Sequence, residues 1–174
     1  MFSKNFILLD FSLDQKFILI LMKERFYHKK IISLKRSENI ANIFFNFIKK
    51  NKIKIDKTFY LFINLGPGNL ISIRNSIVFA KMISMLFSCK LLGFTNYQLL
   101  KLNNLKANKA LLTLGKRNIM LDISKKRATK LSAHEVKKFQ SLNFKITYNK
   151  KILKNLVLTK NFIKKVFPIS YSNV

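Results

Sequence analysis

The chain has 174 residues, enough to bury a hydrophobic core without disulfides or metal in one ordinary domain or two small ones. Its 34 Lys plus Arg against 7 Asp plus Glu give a formal charge of +27, which admits nucleic acid or an acidic protein as a partner. The cations are mostly Lys, spread from end to end alongside abundant Asn, Ile and Phe, a bias that AT-rich codons also produce, and the single cysteine, Cys89, excludes a disulfide framework, a zinc site and a CxxC motif.

A lone Cys in a reducing cytoplasm is expected to be a small buried hydrophobe, and His28 and His134 are expected to be incidental. The apolar runs FILILM (Phe17 to Met22) and MISMLFSC (Met82 to Cys89) fall short of the ~20 residues a bilayer needs, so no membrane span is expected. The opening MFSKNFILLDFS has no small-residue cleavage site, so no signal peptide is expected either.

In chain order, KNFILLDFS and KFILILMKERF are strand-like runs joined by a short polar turn, and HKKIISLKR follows at close spacing, which predicts a three-stranded antiparallel meander. SENIANIFFNFIKKNK predicts a helix with Ser37 as N-cap, Glu38 in its first turn and lysines at its negative end. Its apolar arc is too wide for one core-facing stripe. DKTFYLFINL is a β-branched and aromatic run without alternation, as interior strands are.

The Gly66-Pro67-Gly68 turn then leads into a second helix, from Asn69 to about Ser88, whose only charges are Arg74 and Lys81 on one side. It too has more than one apolar face. KLLGFT is a further strand and NYQLLKLNNLK a short helix, giving the order βββαβαβα. The second half predicts a hairpin of KALLTLG and RNIMLDI around Gly115-Lys116, then a strand in KKRATKL. SAHEVKKFQSL predicts a helix with a Ser132 to Glu135 capping box. Shorter runs, FKITYN and LKNLVLT, and a last helix from Lys160 to Val166 complete two unequal α/β halves with a boundary near Asn104.

A glycine turn at a helix start can offer free N–H groups to an anion. LGPGNLISIR nevertheless lacks the Lys and Ser/Thr of a GxxxxGK[ST] loop, and Ile71 stands where a GxGxxG fingerprint has its third glycine. The arrangement resembles the TsaB (YeaZ) family, whose members carry a GPGSFTGxRIG-type motif, an Ala-rich helix and a strand ending in Gly-Val-(Ser/Thr). Gly66, Pro67, Gly68 and Arg74 stand at the family spacing, Ala80-Lys81 fits its Ala-Lys step, and Gly93 to Thr95 fits its strand end.

FILLDFS resembles the opening ILAIDTS, retaining Asp10 and Ser12, and KRSENIANIF resembles the HSExLLP helix start, retaining Ser37 and Glu38. KANKALLTLGKRNIMLDI resembles VLAAIDARMGEVY without its Asp-Ala-Arg and Glu, and FPISYSNV resembles the ending EPVYLRNNV. The loop departs from the motif, with Asn69-Leu70-Ile71-Ser72 in place of Ser-Phe-Thr-Gly and Asn75 in place of the later glycine. These changes reduce the backbone freedom and the hydroxyls that could approach an anion.

The resemblance implies an α/β fold of two actin-like (ribonuclease-H-like) lobes, residues 1–104 and a shortened 105–174. It implies a non-catalytic subunit that pairs through its two helices with a TsaD-like catalytic subunit, or with itself as a homodimer. Threonylcarbamoyl transfer to tRNA adenosine would follow alongside a TsaE-like ATPase, with tRNA met indirectly. The expected partner interface is Ile40, Ala41, Phe44, Phe45 and Ile48 with Val78, Phe79, Met82, Met85 and Leu86, and the motif loop is Gly66, Pro67, Gly68, Asn69 and Arg74. No catalytic residue, metal or resident cofactor is expected, and a nucleotide only at a shared interface.

Asp10 would stand at the first strand end, where actin-like ATPases hold metal. Asp14 and Asp122 are thin company for it, so a hydrogen-bonding role at the strand end is expected. Arg74 is expected to satisfy carbonyls around the loop, with an anion on a partner as the alternative. Tyr27, Tyr60 and Tyr97 fall in strand and helix patterns, which suits core or interface aromatics more than base-stacking platforms. The alternative function is a basic RNA-binding accessory module; a hydrolase would need a nucleophile with its base, and none is visible.

Overall fold

The computed structural model describes residues 5–31, 39–102, 108–114, 117–142, 148–158 and 162–169. β1 (Phe6–Asp10), β2 (Lys16–Met22) and β3 (Arg25–Ile31) form the antiparallel meander expected from the first three apolar runs. β4 (Tyr60–Asn64) and β5 (Lys90–Phe94) add in parallel on the other side of β1, giving a mixed five-stranded sheet in the order β3-β2-β1-β4-β5. Parallel neighbours need a crossover, and α1 (Ile40–Lys50) and α2 (Leu70–Phe87) supply it.

β1, β2 and β4 are apolar on both sides because helices cover both faces of the sheet, whereas the edge strand β3 carries Arg25, His28 and Lys30 exposed. Ile7, Leu9, Ile18, Ile20, Leu61 and Ile63 pack under α1 and α2. The alternate residues Phe6, Leu8, Leu19 and Phe62 meet Leu99 of α3 (Asn96–Leu102) and Ile152, Leu153 and Leu156 of α5 (Lys150–Leu158). A second, antiparallel sheet of β6 (Lys109–Leu114), β7 (Arg117–Asp122) and β8 (Arg127–Leu131) closes a smaller core on Tyr97 and Leu100 of α3. α4 (Ala133–Lys138) follows with the expected capping box, Ser132 and Glu135 each bonding the other's backbone N–H. The chain is therefore mixed α/β.

Three local expectations change. The N-cap of α1 is Asn39, whose side chain accepts from Ala41 N at 2.8 Å; Ser37 and Glu38 lie outside the described residues, as do Asn104 and the hairpin residues Gly115 and Lys116. LKNLVL belongs to helix α5, and the stretch expected to be a helix from Lys160 to Val166 instead carries an isolated antiparallel bridge between Ile163 and Gly93. FKITYN falls mostly outside the described residues. The bridge wins locally because Gly93 leaves the edge of β5 open to main-chain pairing, with Ile163 N–H and C=O both bonded to it at 2.9 and 2.8 Å.

Phe44 and Phe79, both expected at a partner interface, instead fill the core between the two helices and the sheet, ring against ring at 5.3 Å and 74°. Phe79→Ala is expected to lower stability by about 3–5 kcal/mol, read as a lower urea midpoint with an unchanged slope. A carboxylate at the same position would cost more, since it would be buried unpaired.

Candidate functional site

Two features of this fold bear on function: the C-terminal ends of the parallel strands and the outer face of the helix pair. In open α/β sheets the strand ends are the usual place for a ligand. Here β1, β4 and β5 end in Asp10, Asn64 and Phe94, and α3 opens with Asn96. All three polar residues are buried, with Ser12 among them.

The polar atoms in this cluster bond to one another. Asp10 Oδ1 accepts from Ser12 N at 2.9 Å and Ser12 Oγ at 2.7 Å, and its Oδ2 accepts from the Tyr148 hydroxyl at 2.6 Å. Asn64 Nδ2 donates to Asn96 Oδ1 at 2.7 Å, while Asn96 Nδ2 donates to Pro67 O at 2.7 Å and Ser12 Oγ at 3.2 Å. Among the described residues, no buried side-chain nitrogen or oxygen lacks a partner. Both Asp10 oxygens thus hold internal donors, which is the strand-end bonding role expected from the sequence.

Asp122 binds Ser124 Oγ and Lys125 N in an exposed turn of the second sheet, and Asp14 is exposed. Among the described residues no group of three or more His, Cys, Asp or Glu converges.

The Gly-Pro-Gly turn is drawn into the same cluster. Gly66 sits at φ 96 with a cis bond to Pro67, and its N–H donates to Asn64 Oδ1 at 2.9 Å. Asn69 N–H donates to Ser12 O at 2.7 Å, and the Asn69 side chain caps α2 by accepting from Ser72 N at 3.2 Å. The N–H groups of Gly66, Asn69 and Ser72 are thus consumed within the chain. Arg74 is exposed on α2 and makes no hydrogen bond to the loop among the described residues, which corrects the expectation that it satisfies loop carbonyls.

Burial and the Asp10 charge push the Tyr148 hydroxyl well above its ordinary value of about 10, and burial with a smaller part from Asp122 pushes Tyr97 up to about 12. Both are raised above their unfolded values, so the stability they confer is full below about pH 10 and is lost as pH rises through their folded values. Tyr148→Phe should cost about 1–3 kcal/mol near neutrality, because Asp10 loses a donor, and should flatten the alkaline fall in stability. Urea midpoints at about pH 7 and about pH 11 check both signs. Cys89 is buried and its thiol is likewise raised, chiefly by burial, as for an inert hydrophobe.

The outer face of the helix pair is chemically opposite. α2 buries Ile73, Ser76, Ile77, Phe79, Ala80 and Ile83 on the sheet and α1. Its other side exposes Ile71 (73 %), Val78 (69 %), Met82 (44 %), Met85 (82 %) and Leu86 (62 %). By length and composition α2 is apolar enough to cross a membrane, yet it lies along the sheet with one face buried and carries Arg74 and Lys81 on the other. Ile40, Ala41, Phe45 and Ile48 of α1 are half-buried beside this stripe.

Of the ten expected interface positions, Phe44 and Phe79 are thus internal, and the other eight are partly or largely exposed. Sequence reasoning missed Ile71 on this face, and Asn64, Asn96 and Tyr148 in the cluster. The two asparagines had a usable signal, since each stands at the end of an apolar run that predicts a parallel strand. Tyr97 is buried in the smaller core, Tyr27 and Tyr60 are half-buried, and His28 and His134 are exposed.

No family model and no curated protein matches the sequence. Solved structures do match the fold. YeaZ from Pseudomonas aeruginosa superposes with a TM-score of 0.62 at 8% identity, covering 95% of this chain and 99% of that one. A protein described as uncharacterized, with similarity to peptidase YeaZ from Pseudomonas aeruginosa, superposes with a TM-score of 0.63 at 7% identity, over 95% and 98% of the two chains. The chain has the YeaZ fold over nearly its whole length.

Proposed function

We propose that this chain is a TsaB-like, non-catalytic subunit, with residues 1–104 as an actin-like lobe and 105–174 as a shortened second lobe. It docks on a TsaD-like catalytic subunit through the outer face of α1 and α2 and supports threonylcarbamoyl transfer to tRNA adenosine in the cytoplasm. A TsaE-like ATPase acts alongside, and tRNA is met through the assembly. The observation that carries the reading is the α2 stripe: a helix in the YeaZ fold that is apolar on its outer face as well as its inner one and leaves five large apolar side chains in water.

The strand-end cluster supports the non-catalytic part, because Asp10, Asn64 and Asn96 spend their polar atoms on one another and on Ser12, Tyr148 and the loop. Any nucleotide would then be held at an interface shared with the partner. The test is co-purification with the TsaD-like protein of the same genome, followed by light scattering. A stable one-to-one complex supports the reading. A chain that runs alone and shifts tRNA in a salt-dependent way would instead be the basic RNA-binding module that its +27 charge allows.

A further inference from the structure

The second sheet presents an open edge. Among the described residues β8 pairs with β7 alone, and α4 follows it directly, pinned by the Ser132 to Glu135 capping box. From the β7–β8 turn to the end of α4, Lys125, Lys126, Arg127, Lys130, Lys137 and Lys138 are all exposed. Six of the fourteen residues 125–138 are thus Lys or Arg, against 34 of 174 in the whole chain.

The two carboxylates of this edge serve its backbone. Asp122 Oδ1 accepts from Ser124 Oγ at 2.7 Å and Lys125 N at 2.9 Å, which sets the turn, and Glu135 Oε2 accepts from Ser132 N at 2.8 Å, which starts α4. In register, Asp122 also stands between Lys109 and Arg127 of the neighbouring strands. With exposed Lys109, seven cations meet two carboxylates, a local excess of +5.

This surface has charge without an anchor. The exposed large apolar side chains among the described residues are on α2 and at Phe167, so nothing described from 109 to 142 supplies the buried centre that carries a protein interface. Tyr97 is buried and Phe139 half-buried, so no Phe or Tyr ring there is open for unpaired bases to stack on. Cations alone on a free edge match the backbone of a paired nucleic acid, which carries one charge every ~2 Å of its axis and is held without base contacts.

We propose that the β7–β8 turn, β8 and α4 form a contact for the phosphate backbone of a structured RNA. The choice of RNA rests on the reading above, in which tRNA meets the assembly. The contact goes beyond that reading, because it puts this chain itself against the RNA.

The test is fluorescence anisotropy of an unmodified tRNA transcript titrated with the full chain, alone and with the TsaD-like subunit, over a range of salt. Affinity should fall linearly with salt on logarithmic axes, and an oligouridylate of the same length should bind more weakly. Lys126→Gly with Arg127→Gln should weaken tRNA binding roughly tenfold or more and make the salt slope shallower by roughly 2. Lys126 sits at φ 50, which glycine adopts more readily, so this pair should not lower the melting temperature. Lys54→Gln with Lys57→Gln, exposed ahead of β4, removes the same charge and should change neither reading.

No tRNA binding, unaltered binding in the test pair, a control pair as damaging, or oligouridylate bound as tightly as tRNA would each overturn the proposal. So would displacement of the tRNA by polyglutamate at equal charge, which would make the edge a site for acidic protein. If the TsaD-like subunit forms no complex while tRNA binding and its loss in the test pair persist, the proposed function fails and the RNA contact stands. If that complex forms and the test pair binds tRNA as wild type does, the function stands and this proposal fails.

Discussion

The double substitution Val78→Glu with Met85→Glu is expected to abolish the complex with a TsaD-like subunit while leaving the isolated chain folded. Both side chains point into water from α2, so the substitutions remove no core packing. Exposed substitutions of this kind change stability by about 0.5 kcal/mol, a melting shift of about 2 °C or less for a chain of this size. In a docked helix bundle each carboxylate would be desolvated with no partner on its own side. A penalty of about 3–5 kcal/mol for an unpaired buried charge corresponds to roughly two to four orders of magnitude in affinity. Co-purification checks the first half and thermal melting the second. Loss of binding together with loss of folding would mean that the stripe is core of this chain; intact binding would mean that the partner sits elsewhere. Phe79→Glu is not a substitute for this experiment, because Phe79 is packed on Phe44 and its loss unfolds the chain before it reports on docking.

Gly68→Ala is expected to destabilise the chain by about 3–5 kcal/mol, at the upper end for a single methyl group. A Cβ at Gly68 would fall inside contact distance of the Ser12 carbonyl oxygen, a backbone atom. That carbonyl cannot retreat easily, because it accepts Asn69 N–H at 2.7 Å and Ser12 is itself held by Asp10. At Gly93 the added atom would meet the Leu65 side chain, which has rotamers to yield, so Gly93→Ala should cost less. Urea denaturation of the two variants gives the comparison directly. A near-neutral Gly68→Ala would show that the close packing of the Gly-Pro-Gly turn against the first strand end is not needed for the fold.

The motif loop was legible in the sequence as a position more than as a role. GPG at a strand-to-helix junction marks a turn that needs glycine, and the structure gives the reason in Gly66 at φ 96 and the close approach of Gly68 to Ser12. Its resemblance to a phosphate loop ends where the N–H groups of Gly66 and Asn69 find acceptors inside the chain. Asp10 was legible as a strand-end polar residue. Its contact with Tyr148 was not, since the two stand 138 residues apart and no local pattern joins them.

The helices show where periodicity stops informing. An apolar arc wider than one stripe indicates two buried surfaces, and both α1 and α2 have such an arc. Yet periodicity does not say which surface belongs to the chain's own core. The resemblance implies Phe44 and Phe79 at a partner interface, whereas the packing of α1 on α2 turns both inward. Ile71 was missed because it lies where the motif loop passes into the helix.

The sequence by itself determined the order βββαβαβα, the strand pairings within the meander and the hairpin, the capping box of α4 and the span of α2 from Asn69. All are set by short-range turn chemistry, capping and side-chain period. Only the tertiary structure decided that α5 returns to cover the far face of the first sheet, that the strand-end polar groups satisfy one another, and that one face of α2 stays in water. Those outcomes depend on contacts between residues distant in sequence, whose free energy is gained only once the sheet and both helix layers are assembled.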